Sequence, residues 1–460
     1  MTTQIVTTEV TTLSRTKAPA LPIAPTDYSR TYQDQLNNVL RLYFSQLDNF
    51  IAQLMANSST LPISIGGTNV DAFGRLRVSQ PYTLFDSQNR YAPDNQFDVA
   101  TTGTGTTSFL PNEAAVKMEV TGAGVGSVIR QSYRSFPYQP GKGLLVLATF
   151  VMDSSQSLNL TQRVGYFNTQ NGVFFQRVDG TYSFVLRSFV TGSVSDARTV
   201  NQSDWNGDKL DGTGASGLTL DPSKAQILWM DFEWLGVGSV RCGFIINGEY
   251  IVCHTFNNAN EITNVYMTTA ILPVRYEIFT TSSAVAASMK AICISVVSEG
   301  GFEQTSIDHV ARRTALRTTI GSTFVPLVSI RLGNSTLGSV VLPNRVQVLP
   351  TTNQNYEVAL VKNTELTSAS WSNVATDSNV QFDVSATAMA NGSIVQVDYV
   401  TTSGSGGTGN LSAPTGYNWD LQLGVSLANV SDTMTVAIRT VSGATTGDAV
   451  ASLSFYDLTQ

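Results

Sequence analysis

Histidine occurs only twice in this sequence and cysteine only three times, which removes most of the usual apparatus of catalysis. A serine, threonine or cysteine nucleophile needs a nearby base, and histidine is the usual one. His254 follows Cys253 directly, so on a strand the two side chains point to opposite faces and cannot pair locally. His309 stands alone. There is no G-x-S-x-G elbow, no H-E-x-x-H pair and no Walker loop. Gly103 to Thr107 is rich in glycine and threonine but lacks the lysine and helix of a phosphate cradle. Cys242, Cys253 and Cys293 are odd in number and lack C-x-x-C spacing, which speaks against a disulfide framework and against zinc. They read as small buried hydrophobes, with Cys242 and Cys253 on two strands joined by a turn. The expectation is a protein that is not an enzyme and holds no cofactor.

Charge is also scarce. Charged residues are 13 % of the chain, about half the usual share. The net charge of −7 comes from scattered acids, with no Lys/Arg stripe to follow a phosphate backbone, so nucleic acid is not an expected partner. No apolar run approaches the length of a membrane span, and residues 1–25 show no basic n-region followed by an apolar core. Membrane insertion and a signal peptide are therefore not expected. The polar lead TTQIVTTEVTTLSRTK reads as part of an extended arm over residues 1–27.

What is abundant is Thr, Ser, Asn, Gly and Val, a composition suited to strands and tight turns. One helix interrupts it. From Tyr28 to Asn57, Leu36, Leu40, Tyr43, Leu47, Phe50 and Leu54 recur at alternating steps of four and three, a heptad seam within an oligomerisation segment of residues 28–60. Val39, Phe44, Ile51 and Met55 widen the apolar face, which favours three or more helices together or docking on another surface. Gln and Asn stand at the flanks where Glu and Lys would set partner choice. A single helix packed on its own domain is the plainer alternative.

From Leu61 to Phe302 short apolar runs alternate with turn signals, the pattern of an all-β sandwich. Gly172–Val178, Asp179-Gly180 and Thr181–Leu186 read as a hairpin, because Asp-Gly supplies the positive φ of a type I′ turn. Val240–Ile246, Asn247-Gly248 and Glu249–Phe256 read as a second, preceded by a strand over Ile227–Leu235. "SVRCGFII" returning as "EYIVCHTF" resembles the jelly-roll sandwiches of concanavalin-like and laminin-G-like modules. Residues 303–320, with His309 and the basic trio Arg312, Arg313 and Arg317, read as a linker or short helix. A smaller C-terminal β-domain over 321–460 would be built from Phe324–Leu332, Gly338–Leu342, Asn344–Val348, Tyr356–Val361, Asp420–Ala428, Thr433–Arg439 and Ala449–Tyr456. Ser403 to Gly409 reads as a flexible loop. The predicted class is mainly β: an N-terminal arm and an oligomerising α-helix, then a jelly-roll/concanavalin-like β-sandwich and a smaller C-terminal β-domain.

Three side-chain groups deserve weighing as chemistry. Asp231 and Glu233 share one strand face and would be the carboxylate pair of a glycosidase, although such neighbours more often form a solvated or hydrogen-bonded face. Asp204, Asn206, Asp208 and Asp211 alternate like the start of a calcium loop, but Lys209 stands where that loop requires glycine and Ala215 where it requires glutamate. A turn-rich surface loop over Val200–Gly217, held by its own Asp and Asn side chains, is the simpler reading. Trp205, Trp371 and Trp419 adjoin turns and are candidates for stacking on sugars, whereas Trp229 and Trp234 lie in a strand expected to be buried.

Thr16 to Leu54 resembles an N-terminal module found on virion proteins of tailed phages, especially those of marine cyanobacteria. "DAFGRLRVSQPYTLFDSQNRY" (Asp71 to Tyr91), "DWNGDKLDGTGASG" and "FEWLGVGSVRCGF" are similar to a widespread family of phage structural proteins. The resemblance implies a particle component whose N-terminus serves attachment or oligomerisation, and it hands over no catalytic residue. The expected protein is a virion-located homotrimer, bound to other virion proteins through its arm. Its β-domains would act as a fibre or spike on host-surface glycan. A head decoration or neck/tail connector is the alternative, and a polysaccharide-degrading tailspike comes third.

Overall fold

The computed structural model describes residues 26–59, 80–153, 158–282, 286–303, 305–402, 409–412, 419–441 and 447–459, with the side chains of 50, 52–59 and 409–412 left undescribed. The chain divides into two units, 1–78 and 79–460.

In the first unit a helix, α1, runs Arg30–Ser59, two residues later at each end than its apolar periodicity suggests. Ser29 explains the start. Its Oγ accepts the amide of Tyr32 at 3.3 Å, and its carbonyl accepts that of Gln33 at 3.0 Å, so serine acts as N-cap. The residues of the expected arm before 26 lie outside the described residues, as does the expected beginning of the sandwich at Leu61; the first described strand is Tyr82–Gln88.

The second unit opens with the expected sandwich of two antiparallel sheets. One sheet runs in the order Glu249–Phe256, Val240–Ile246, Gln226–Phe232, Leu144–Met152, Ala287–Ser298, Ala115–Val120 and Gly105–Leu110, with Tyr82–Gln88 also paired to Ala287–Ser298. The other runs Ser195–Asn201, Thr181–Ser188, Gly172–Val178, Leu160–Phe167, Val274–Thr280, Gly126–Ser132 and Phe97–Gly103. Ala115–Val120, Gly126–Ser132, Leu144–Met152 and Leu160–Phe167 alternate between the sheets, which makes the sandwich jelly-roll-like. Both expected hairpins form, with φ of +50° and +87° at Asp179 and Gly180, and +55° and +83° at Asn247 and Gly248. Alternate side chains such as Val164, Phe175, Phe184, Phe244 and Tyr276 fill the space between the sheets. Each such buried side chain contributes about 1.5–3 kcal/mol. Cys242 and Cys253 lie in this core as free, buried thiols.

Residues 303–320 are neither linker nor helix: Ile307–Ile320 is a strand on the edge of a second, smaller sandwich. Its arginines are what disguised it. Arg313 donates to the carbonyl of Val384, and Arg317 to those of Ala386 and Thr387, at 3.3 and 2.6 Å. The basic side chains thus bind backbone carbonyls on a neighbouring segment, while Ala311 and Ile320 enter the core. The smaller sandwich pairs the sheet Ile307–Ile320, Gly447–Asp457, Val341–Pro350, Gly409–Ser412 with a six-stranded sheet centred on Val325–Leu332, Thr433–Thr440 and Asn355–Lys362. The expected strand Asp420–Ala428 is instead a single 3₁₀ turn, Trp419–Leu421, followed by irregular chain with an isolated bridge at Val425 and a turn at Leu427. Residues 403–408 of the glycine-rich segment lie outside the described residues.

That chain fastens the two sandwiches together. The amide of Val425 donates to the carbonyl of Tyr133 at 2.8 Å, Gln422 Nε2 to that of Ser135 at 2.8 Å, and the amide of Leu427 to Asp98 Oδ2 at 2.7 Å. Gly424 is required there, since a Cβ would stand 2.8 Å from Tyr133 Cβ.

Candidate functional site

On α1 the heptad residues Leu36, Leu40, Tyr43 and Leu47 are half-buried, and so are Tyr32 and Val39 on the same side. Leu42, Phe44 and Ile51 are 55 %, 57 % and 44 % exposed. The side chains of Phe50 and Leu54, the other two expected seam residues, lie outside the described ones. The flanking contacts run through amides: Gln33 donates to Asn37 and Arg41 to Asn38, at 3.3 and 3.0 Å. No helix among the described residues is long and apolar enough to cross a membrane.

The loop after Asn201 lies mostly at the surface, as expected, and is anchored by two buried residues, Trp205 and Leu210. Trp205 is buried against Phe184, with Nε1 donating to the carbonyl of Val200 at 3.2 Å, and Leu210 and Leu220 enter the core. The loop lies along Glu249–Phe256, the margin of its sheet. Gly207 and Asp208 donate their amides to the carbonyls of Cys253 and Val252, both at 2.9 Å. Asn206 imitates a strand residue, donating to the carbonyl of Thr255 at 2.9 Å and accepting its amide at 2.8 Å. The loop therefore covers a row of edge groups that would otherwise be open.

This accounts for the calcium-like spacing. Asp208 accepts the amides of Leu210 and Ser216 at 2.9 and 2.7 Å, and Asp211 accepts the amide and hydroxyl of Thr213. Burial raises the pKa of Asp208, but the two amides outweigh this and hold it below the ordinary carboxylate value. Asp204 falls in a 3₁₀ turn. Asp208 and Asp211 brace turns and Asn206 pairs with the strand edge, and among the described residues no three His, Cys, Asp or Glu gather as a metal-binding group.

The other candidates also find structural partners. Asp231 is a buried carboxylate paired with Arg241 on the adjacent strand, whereas Glu233 lies beyond the strand end. Trp371 lies beneath the Arg331 guanidinium at 4.3 Å, and Trp419 donates from Nε1 to the Tyr82 hydroxyl at 2.9 Å. Gly103 and Gly105 flank the point where the chain crosses between sheets, and a Cβ on either would fall 2.0 Å from a backbone carbonyl oxygen.

A polar–aromatic face escaped the sequence reading. On the side of the seven-stranded sheet turned away from the main core, Phe167, Phe174 and Val185 form a separate buried cluster. Arg163 and Arg187 cover Phe174, at 5.3 and 5.1 Å, and Arg275 covers Phe167 at 5.4 Å. The cations are held in turn. Arg187 makes two 2.8 Å bonds to Asp196, and Arg163 and Arg275 share Glu277, at 3.7 and 3.2 Å. Burial raises the Asp196 pKa, but Arg187 overrides it and leaves it below the ordinary value. The result is a rigid wall of guanidinium stacked on aromatic rings. Its members, Asp196 included, are drawn from five strands, so no local motif announces it.

No family model matches the chain, and no curated protein does. Solved structures are similar to part of the chain. The carbohydrate recognition domain of Emp47p is 9 % identical, with a TM-score of 0.30, covering 50 % of this chain and 99 % of that one. A legume lectin-like domain from Entamoeba histolytica is 10 % identical, with a TM-score of 0.27, covering 43 % and 89 %. A protein of unknown function from Shewanella oneidensis is 9 % identical, with a TM-score of 0.31, covering 50 % and 91 %.

Proposed function

We propose that the chain is a non-enzymatic structural protein of a tailed-phage particle, a homotrimer joined by α1 and docked to other virion proteins through its N-terminal arm. Its sandwiches contact host-surface glycan. The observation that carries this reading is the apolar girth of α1. Leu36, Leu40, Tyr43 and Leu47 line one seam, while Leu42, Phe44 and Ile51 stand 44–57 % exposed beside it. A helix this apolar is stabilised when copies of itself cover both the seam and its shoulders, and the width of the face favours three strands over two. Threefold display then gives avidity to weak single contacts without any chemical step.

Light scattering on the full-length protein and on a chain starting at Leu61 tests the proposal. A trimer that becomes monomeric on truncation supports it. A full-length monomer overturns the trimer and leaves α1 to dock on a different virion protein, as a head decoration or connector would.

A further inference from the structure

Of the basic trio on Ile307–Ile320, Arg313 and Arg317 commit their guanidiniums to the carbonyls of Val384, Ala386 and Thr387. Arg312 does not: it is exposed and makes no hydrogen bond or ion pair among the described residues. Arg312 stands opposite Ser452, and Ser452 opposite Gln347, so the three form one row across Ile307–Ile320, Gly447–Asp457 and Val341–Pro350. In the next row Val310 faces Ser454, and Ser454 faces Arg345. Ala311, Val346, Ala451 and Leu453 alternate with these residues and enter the core, so both rows lie on the outer face of the sheet.

A trough of about 320 Å³ crosses the first row. Arg312, Arg313, Gln347 and Ser452 give it two guanidiniums, an amide and a hydroxyl, Leu349 and Val450 give it an apolar side, and no aspartate or glutamate lines it. The nearest acids along these strands, Asp308 and Asp448, are four residues from Arg312 and Ser452, about 13 Å away. In a chain of net charge −7 this is a local reversal of sign. Arg345, Gln347, Ser452 and Ser454 are, like Arg312, without a side-chain partner among the described residues. The two uncommitted arginines start about 12 Å apart, two strand spacings and two residues. Each is long enough to reach over the serines between them.

The chemistry of this face selects the occupant. Two guanidiniums repel a cation, and an apolar ligand would displace water from five polar side chains without replacing its hydrogen bonds. A neutral polar ligand exchanges bonds to water for equivalent ones and gains little. An oxyanion gains bidentate, charge-assisted bonds from arginine, and the serine hydroxyls and the Gln347 amide can donate to its remaining lone pairs. We infer that this outer face of the smaller sandwich binds an oxyanion, a carboxylate or phosphate group. The site requires neither the trimer nor the glycan contact proposed above.

The test is ligand-observed NMR on the full-length protein, with ³¹P line broadening of inorganic phosphate and saturation transfer to methyl glucuronide, and with methyl glucoside as the neutral control. At least one of the two anions is expected to bind in the millimolar range and the glucoside not to bind; which anion is tighter assigns the group as phosphate or carboxylate. Arg312→Gln and Arg345→Gln should each weaken binding roughly tenfold, and added salt should weaken it further. Neither variant should move the melting temperature, since neither side chain has a partner to lose. Lys224→Gln removes an exposed positive charge from the other sandwich and should leave the affinity unchanged. No binding of either anion, equal binding of the glucoside, or a loss in Lys224→Gln as large as in Arg312→Gln overturns the inference.

Discussion

Arg134 donates from Nη1 to the backbone carbonyl of Trp419 at 2.6 Å, tying the large sandwich to the small one across 285 residues of sequence. Its other nitrogen, Nη2, reaches Gln96 Oε1, and the side chain is almost fully buried. Trp419 in turn packs edge-on against Phe302 at 5.1 Å.

Arg134→Ala should therefore lower stability by about 1–3 kcal/mol, because it leaves the Trp419 carbonyl and Gln96 without their donor. It should also loosen the coupling between the sandwiches. Calorimetry checks both: the wild type is expected to melt in one transition and the variant in two. A variant that still melts in one transition at the wild-type temperature would contradict the latch.

Leu40→Asp combined with Leu47→Asp places two carboxylates on the seam of α1. The expected outcome is a folded monomer by light scattering, with an unchanged β-sheet signal in circular dichroism. Retention of the trimer would remove the helix from assembly.

The Asp208 clamp gives a signed pH dependence. Its folded pKa is depressed below the ordinary 3.8, so its stabilisation is fully present above that value and is lost as pH falls through the lower, folded one. The melting-temperature gap between wild type and Asp208→Asn should be constant near neutrality and close at acid pH. Calcium or a chelator should move neither curve, since Asp208 and Asp211 already spend their oxygens on turn amides.

Burial drives the thiol pKa of Cys253 up to about 12 and that of Cys242 well above the ordinary value. Neither thiol should react with a disulfide reagent in the native state at mildly alkaline pH. Cys293, only half-buried, should react slowly, and all three at once on unfolding. Rapid native labelling of Cys242 would contradict the packing of the main core.

The parts legible in the sequence were those whose cause is local. Asp179-Gly180 and Asn247-Gly248 announce their hairpins because the turn itself requires positive φ. The heptad steps of α1 and the apolar alternation of strands such as Leu144–Met152 are similarly local. Ile307–Ile320 was hidden because an edge strand needs few apolar side chains, and its arginines bind carbonyls some seventy residues away. Asp420–Ala428 has strand-like composition, but its amides are taken by Tyr133 and Asp98 of the other sandwich.

The loop that lies along Glu249–Phe256 has a consequence for crowding. Were many copies gathered at high local concentration, as in the proposed particle, a bare sheet margin would let one copy template the next into an open-ended fibril. By spending Asn206, Gly207 and Asp208 on that margin, the chain closes it to polymerisation and leaves contacts of finite number as the way to grow.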